Sequence, residues 1–273
     1  MYFRDAHSES SLSTPSRYGI MTGRYCFRGP LKKGVLNGYG APLIETTRPT
    51  IPSMLVSEGY QTAIFGKWHL GLGWQTSVSG KAPTNETVAF DKSLTYSPND
   101  AGFEESYVLP ASLDMPPYVF VSNHSVEDQN IVDVAGADPP PYRGHLWRAG
   151  KASESFSFES CLQNLTDKGL DYIRAHSDVD KPFFVYMPLT APHTPWLPTS
   201  QFKGGSNAGD YGDFVLNVDE VVGKVTALLD SLHISDNTIV IFASDNGADW
   251  NPSDKKTYPH LSNFIWRGRK SDI

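Results

Sequence analysis

The stretch Ser13-Thr14-Pro15-Ser16-Arg17-Tyr18-Gly19-Ile20-Met21-Thr22-Gly23-Arg24 reads as a hydroxyl delivered to the start of a short helix. Ser13 and Thr14 are residue types that cap helix N-termini, and Pro15 suits the first helical position, where no N–H is required. Ser16 to Thr22 is enough for roughly two turns, and Gly23 is the residue type that ends a helix. An oxygen at Ser13 would lie at the positive end of the helix dipole among free backbone N–H groups, a favourable place for an anion. Arg17, one turn on, adds a planar fork of donors suited to a tetrahedral oxyanion. Taken alone, the pattern fits an ordinary capped helix beside a turn equally well.

Downstream, Pro52 to Glu58 reads as a helix stopped by Gly59, and Tyr60 to Phe65 as a β-type apolar run. That run leads into Gly66-Lys67-Trp68-His69-Leu70-Gly71. Side chains two apart on an extended segment share a face, so Lys67 and His69 are expected to project together, with Trp68 packed behind. An amine beside an imidazole can hold an anion and move a proton. A Lys in solvent and a His on a loop fit the same spacing.

Residues 72 to about 160 are rich in Gly, Pro, Ser and Asn and read as long loops with short strands such as Pro117 to Val121. Within them, the cluster from Tyr142 to Arg148 fits either a solvated loop or a surface facing a sugar or aryl group. A helical face then runs to His176, and Pro182 to Leu189 reads as a fully buried strand of a parallel sheet. It delivers His193, flanked by prolines, at its C-terminal end, where ligands bind in such sheets. A long helix from Tyr211 to Leu232 carries an i, i+3/i+4 apolar stripe. Thr238 to Ala243 reads as a second buried strand, tipped by Ser244-Asp245-Asn246-Gly247. Asp245 and Asn246 offer adjacent hard oxygens of the kind that suit Ca²⁺ or Mg²⁺ rather than zinc, and the same residues suit an Asx turn. The basic run Arg267-Gly268-Arg269-Lys270 follows.

This order of elements predicts an α/β fold, a mainly parallel sheet sandwiched by helices. The 273 residues are 39% hydrophobic and 19% charged, a globular composition. A net charge of −7 argues against a nucleic-acid partner, and no apolar run approaches the about 20 residues that a membrane span needs. Cys26 and Cys161 are too few for a disulfide framework or a zinc site.

The twelve residues from Ser13 resemble the signature of the sulfatase family, in which the first position, Cys or Ser, is oxidised after translation to formylglycine. Gly66-Lys67-Trp68-His69, Pro192-His193 and Gly268-Arg269-Lys270 are similar to later family segments, so the resemblance covers most of the chain in motif order. It implies the alkaline-phosphatase-like sulfatase fold and hydrolysis of sulfate esters. It also implies a formylglycine formed from Ser13 and a Ca²⁺ or Mg²⁺ ion at Asp245, Asn246 and residue 13. Arg17 would hold the hydrated aldehyde, while Lys67, His193 and Lys270 would neutralise sulfate oxygens. His193 would protonate the leaving alcohol, and His69 would take the proton that releases sulfate. The implied partners are a sulfated small molecule or carbohydrate and a formylglycine-generating enzyme, in a periplasmic, secreted or lysosomal setting.

The sequence departs from the family by lacking a first strand with paired aspartates; Asp5 is a lone acid in a polar stretch. The expectation is therefore a single partial catalytic domain over 1–273, incomplete at both ends, with a loop-rich insertion at 72–160, no C-terminal subdomain and poor metal binding. No signal peptide is visible in the first residues. A phosphatase or phosphonate-ester hydrolase using unmodified Ser13, and a non-catalytic fragment binding anions or sulfated glycans, remain open alternatives.

Overall fold

A computed structural model describes residue 3 and residues 5–137, 143–178 and 180–272. Tyr142, part of the aromatic and basic cluster, and Met1, Tyr2 and Arg4 of the N-terminal stretch lie outside the described residues.

Helix α1 spans Ser13–Thr22 and α2 spans Ile51–Ser57, the latter closed by a capping box between Thr50 and Ser53. Strand β1, Gln61–Lys67, follows at once. It is flanked on one side by β2, Glu105–Leu109, and on the other by β7, Phe183–Tyr186, both parallel to it. Two short antiparallel strands, β3 (Val121–Ser122) and β4 (Ser125–Val126), extend the β2 edge, giving the order β4-β3-β2-β1-β7. A separate ribbon pairs β5 (Ile131–Val134) with β6 (Gly150–Ser153). Helices α3 (Cys161–His176), α4 (Gly209–Ser231) and the short α5 (Pro252–Thr257) complete the chain.

The sheet is covered on both faces, and the alternation along β1 explains how. Ile64 points into a core shared with Tyr18 and Met21 of α1, whereas Ala63 and Phe65 point into a second core with Cys161, Leu165 and Tyr172 of α3. Each such fully buried aliphatic or aromatic side chain contributes about 1.5–3 kcal/mol of transfer free energy. Helix α4 packs Phe214, Val218 and Val221 around Trp196 and Trp250 in a third cluster. No helix among the described residues is long and apolar enough to cross a membrane.

Four sequence expectations change. Ser13 is the first helical residue, not the cap; Leu12 holds the cap position without a side-chain bond, and Pro15 sits inside the first turn. The hydroxyls of Ser13 and Thr14 are taken by tertiary partners instead, as described below. Within 72–160, Glu105 to Leu109 is a central strand rather than part of a peripheral loop. Strand β7 is half-buried, because β1 is its single paired neighbour. Thr238 to Ala243 forms no ladder with any described strand, and Ile239 and Ile241 are 87% and 85% exposed. An apolar run has strand propensity, but a ladder needs a partner, and none of the described strands pairs with this run.

Candidate active site

The start of α1 meets the C-terminal end of β1. Lys67, the last residue of β1 and 2% exposed, donates from Nζ to Ser13 Oγ at 3.0 Å. The Thr14 hydroxyl donates to the His69 carbonyl at 3.1 Å and accepts from the Leu36 amide at 3.2 Å, tying the helix start to the two loops beside it. Arg17 Nη1 donates to the Lys67 carbonyl at 2.9 Å, while its Nε and Nη2 both donate to Asp245 Oδ2, at 3.1 and 2.9 Å. Gly23 ends the helix in the left-handed conformation, its amide returning to the Gly19 carbonyl.

The two histidines are fixed as neutral tautomers by their partners. His69 Nε2 lies 2.7 Å from the Leu36 carbonyl, which can only accept, so Nε2 carries the proton. Nδ1 of the same ring is then a lone pair, buried and without a hydrogen-bond partner among the described residues. His193 Nδ1 lies 2.8 Å from the Thr194 carbonyl, and its Nε2 lies 3.0 Å from Lys270 Nζ. The carbonyl requires a proton on Nδ1 and the ammonium requires a lone pair on Nε2. Burial, reinforced by the charges of Lys67 and Lys270, holds His193 well below the ordinary histidine range; burial and Lys67 do the same to His69.

Burial also brings Lys67 down to about 7, helped by the Arg17 charge. Asp245 moves the other way energetically: its burial favours the neutral acid, but Arg17, Lys67 and a hydrogen bond from Ser13 overcome this and hold it at about 2. The carboxylate therefore stays ionised and locked to Arg17.

Ser13, His69, His193 and Lys270 line one cavity of about 270 Å³. Arg17, Lys67 and Asp245 stand behind it, joined through the bonds just given. Asn246 adjoins Asp245 in the chain, but its amide donates to the Gly247 carbonyl at 2.9 Å and, among the described residues, makes no bond to the other seven. The cavity wall also contains Ser112, Asp114, Leu146, Arg148 and Asp249, which the sequence reading did not select. Asp114 sits five residues past the end of β2, and recognising 105–109 as a strand would have pointed to that loop. Leu146 and Arg148 belong to the aromatic and basic cluster, and both line the cavity.

The family profile described as Sulfatase matches residues 1–268. The chain belongs to the sulfatase family. It is 34% identical over 90% of its length to an N-acetylgalactosamine-6-O-sulfatase of Bacteroides thetaiotaomicron, covering 51% of that protein. It is also 32% identical over 91% of its length to the rat N-acetylgalactosamine-6-sulfatase, covering 43% of it. This sulfatase chain thus spans about half the length of the curated relatives it matches. A Bacteroides thetaiotaomicron sulfatase structure, solved in work on glycosaminoglycan metabolism, superposes with a TM-score of 0.80 at 31% identity, over 96% of this chain and 59% of the other. A Pseudoalteromonas sulfatase shares the fold, with a TM-score of 0.61 at 22% identity over 88% of this chain and 46% of the other. The α/β architecture is that of the alkaline-phosphatase-like sulfatases.

Ser13 fits the family's formylglycine position, since it lines the cavity and its oxygen accepts from Lys67. The described residues do not fit a resident Ca²⁺ or Mg²⁺. They contain no group of three or more His, Cys, Asp or Glu side chains able to hold a metal, and Asp245 Oδ2 is occupied by two bonds from Arg17. Ca²⁺ takes about 6–8 oxygen ligands, more than Ser13, Asp245 and Asn246 offer together.

Proposed function

We propose that this chain carries the reacting half of a sulfuric ester hydrolase whose substrate is a 6-O-sulfated amino sugar of the N-acetylgalactosamine type. The observation that carries the proposal is the 3.0 Å bond from Lys67 to Ser13, on a cavity that Lys270 and His193 also line. The names of the relatives supply the sugar.

Oxidation of Ser13 to the aldehyde by a formylglycine-generating enzyme, followed by addition of water, would supply two hydroxyls on one carbon, one for attack on sulfur and one for release of sulfate. Lys67 holds the oxygen at position 13 and places positive charge beside it. Lys270, its ammonium held by His193 Nε2, donates toward the sulfate and is the proton source for the leaving alcohol oxygen. His69 Nδ1 is the buried lone pair available to accept the proton lost from position 13. Arg17, clamped to Asp245, keeps the start of α1 in register with the end of β1.

The test is product release by the full-length protein, co-produced with a formylglycine-generating enzyme, from N-acetylgalactosamine 6-sulfate and from the matching 6-phosphate. Sulfate release dependent on the maturation enzyme is expected. Phosphate release alone, without the maturation enzyme, would replace the proposal with a serine phosphatase.

A further inference from the structure

Asp114 is 5% exposed and lies in the cavity wall. Its Oδ2 accepts from Arg148 Nη1 at 2.5 Å, and its carbonyl accepts from the Arg148 amide and from Nη1, both at 3.1 Å. Its Oδ1 has no hydrogen-bond partner among the described residues. The facing group is the neutral His193 ring, Nδ1 at 3.8 Å, whose proton is already given to the Thr194 carbonyl. A buried carboxylate oxygen without a donor is unusual and costly, and it stands here beside an open cavity.

Arg148 is half exposed, and among the described residues Nη1 alone of its guanidinium nitrogens is engaged. An unpaired carboxylate oxygen next to a partly free guanidinium is an acceptor beside donors. A hydroxyl on a carbohydrate ring needs that arrangement, because it donates one hydrogen bond and accepts others. Met115 and Leu146 line the same wall and offer an apolar surface for the C–H face of a ring. The cavity is of the scale for one small-molecule ring, below the about 300–1,000 Å³ of larger ligand sites.

Building on the sulfate-ester hydrolysis proposed above, we propose that Asp114 and Arg148 recognise a ring hydroxyl of the alcohol half of the ester. The sulfate lies at the Ser13 end and the hydroxyl at the Asp114 end. Selectivity for carbohydrate sulfates over hydroxyl-free esters then resides in this pair, outside the groups that act on sulfur. The bonds between Asp114 and Arg148 Nη1 hold the two side chains together in the cavity lining.

The experiment compares kcat/KM of the matured full-length protein on N-acetylgalactosamine 6-sulfate and on 4-nitrophenyl sulfate, which has no ring hydroxyl. Asp114→Asn and Arg148→Ala are each expected to lower the ratio of the two values by about tenfold or more, since a site built to bond a hydroxyl loses discrimination when one partner goes. Weakened binding of desulfated N-acetylgalactosamine to both variants, read by saturation-transfer NMR, is expected alongside. A ratio within about twofold of the unsubstituted protein overturns the proposal, even if both activities fall together. If Asp114→Asn does not fold, Arg148→Ala, on the surface, carries the same criterion. Hydrolysis of 4-nitrophenyl sulfate but of no carbohydrate sulfate by the unsubstituted protein would overturn this recognition and leave sulfatase activity standing. Hydrolysis of neither ester would remove both.

Discussion

Lys270 Nζ lies 3.0 Å from His193 Nε2, two residues 77 positions apart in the chain. An ammonium can only donate, so the imidazole is neutral and its Nε2 is the acceptor. The pair makes Lys270 the proton-bearing partner of a histidine that burial keeps uncharged. Lys270→Met is expected to lower kcat on a sulfate ester by about a hundredfold or more, the scale of losing one donor aimed at developing charge. Steady-state kinetics on the full-length protein check this, and a loss under threefold would contradict it.

Arg17 and Asp245 form an ion pair with side chains 8% and 22% exposed. Removing one partner strands the other charge in a poorly solvated place. Arg17→Met is expected to cost about 3–5 kcal/mol of folding stability, measured by urea unfolding. Arg17→Lys cannot reproduce two bonds to Asp245 plus one to the Lys67 carbonyl, and a partial loss is expected. A change under 1 kcal/mol in the methionine variant would show that the pair is not a structural tie.

Gly247 lies where two segments of the site touch. A Cβ built there would fall 1.9 Å from the Gly268 carbonyl oxygen, a backbone atom that cannot swing away. Gly247→Ala is expected to separate the Asp245 turn from the Gly268 to Lys270 segment, costing about 1–3 kcal/mol and lowering turnover. Unfolding and kinetics measured on the same sample check both halves.

Glu45 accepts from Arg48 Nε at 2.7 Å, from Tyr18 Oη at 3.0 Å and from Arg24 Nη1 at 3.2 Å. The Arg48 bond, opposed by partial burial and aided by Tyr18, takes its carboxyl from 4.5 to about 2. A folded-state pKa below the unfolded one adds stability above the unfolded pKa and loses it as pH falls through the folded one. Stability from Glu45 is therefore fully present above about pH 5 and is lost between about pH 4.5 and 2. Glu45→Gln is expected to flatten that part of the stability-against-pH curve, read by thermal melting. An unchanged acid limb would contradict the assignment.

Much of the site could be read from local patterns. Helix α1, the end of β1 and His193 each lie next to a short run whose residue types dictate its form, so Ser13, Arg17, Lys67, His69 and His193 were visible before the fold. The N-cap at Ser13 was misread, because local capping chemistry gives no sign that Lys67, 54 positions away, claims the same hydroxyl. Asp114 and Arg148 meet 34 positions apart through loops without periodicity, and no spacing rule joins them. Thr238 to Ala243 has the composition of a buried strand, but burial comes from neighbours, and composition does not supply them.

The chemistry at position 13 can be read directly by mass spectrometry of the peptide spanning Ser13, from protein produced with a formylglycine-generating enzyme. A mass lower by two hydrogens, reverting in Ser13→Ala together with complete loss of sulfate release, is the expected result. An unmodified Ser13 in protein that still releases sulfate, or a Ser13→Ala variant that keeps the activity, would contradict the assignment of the reacting group.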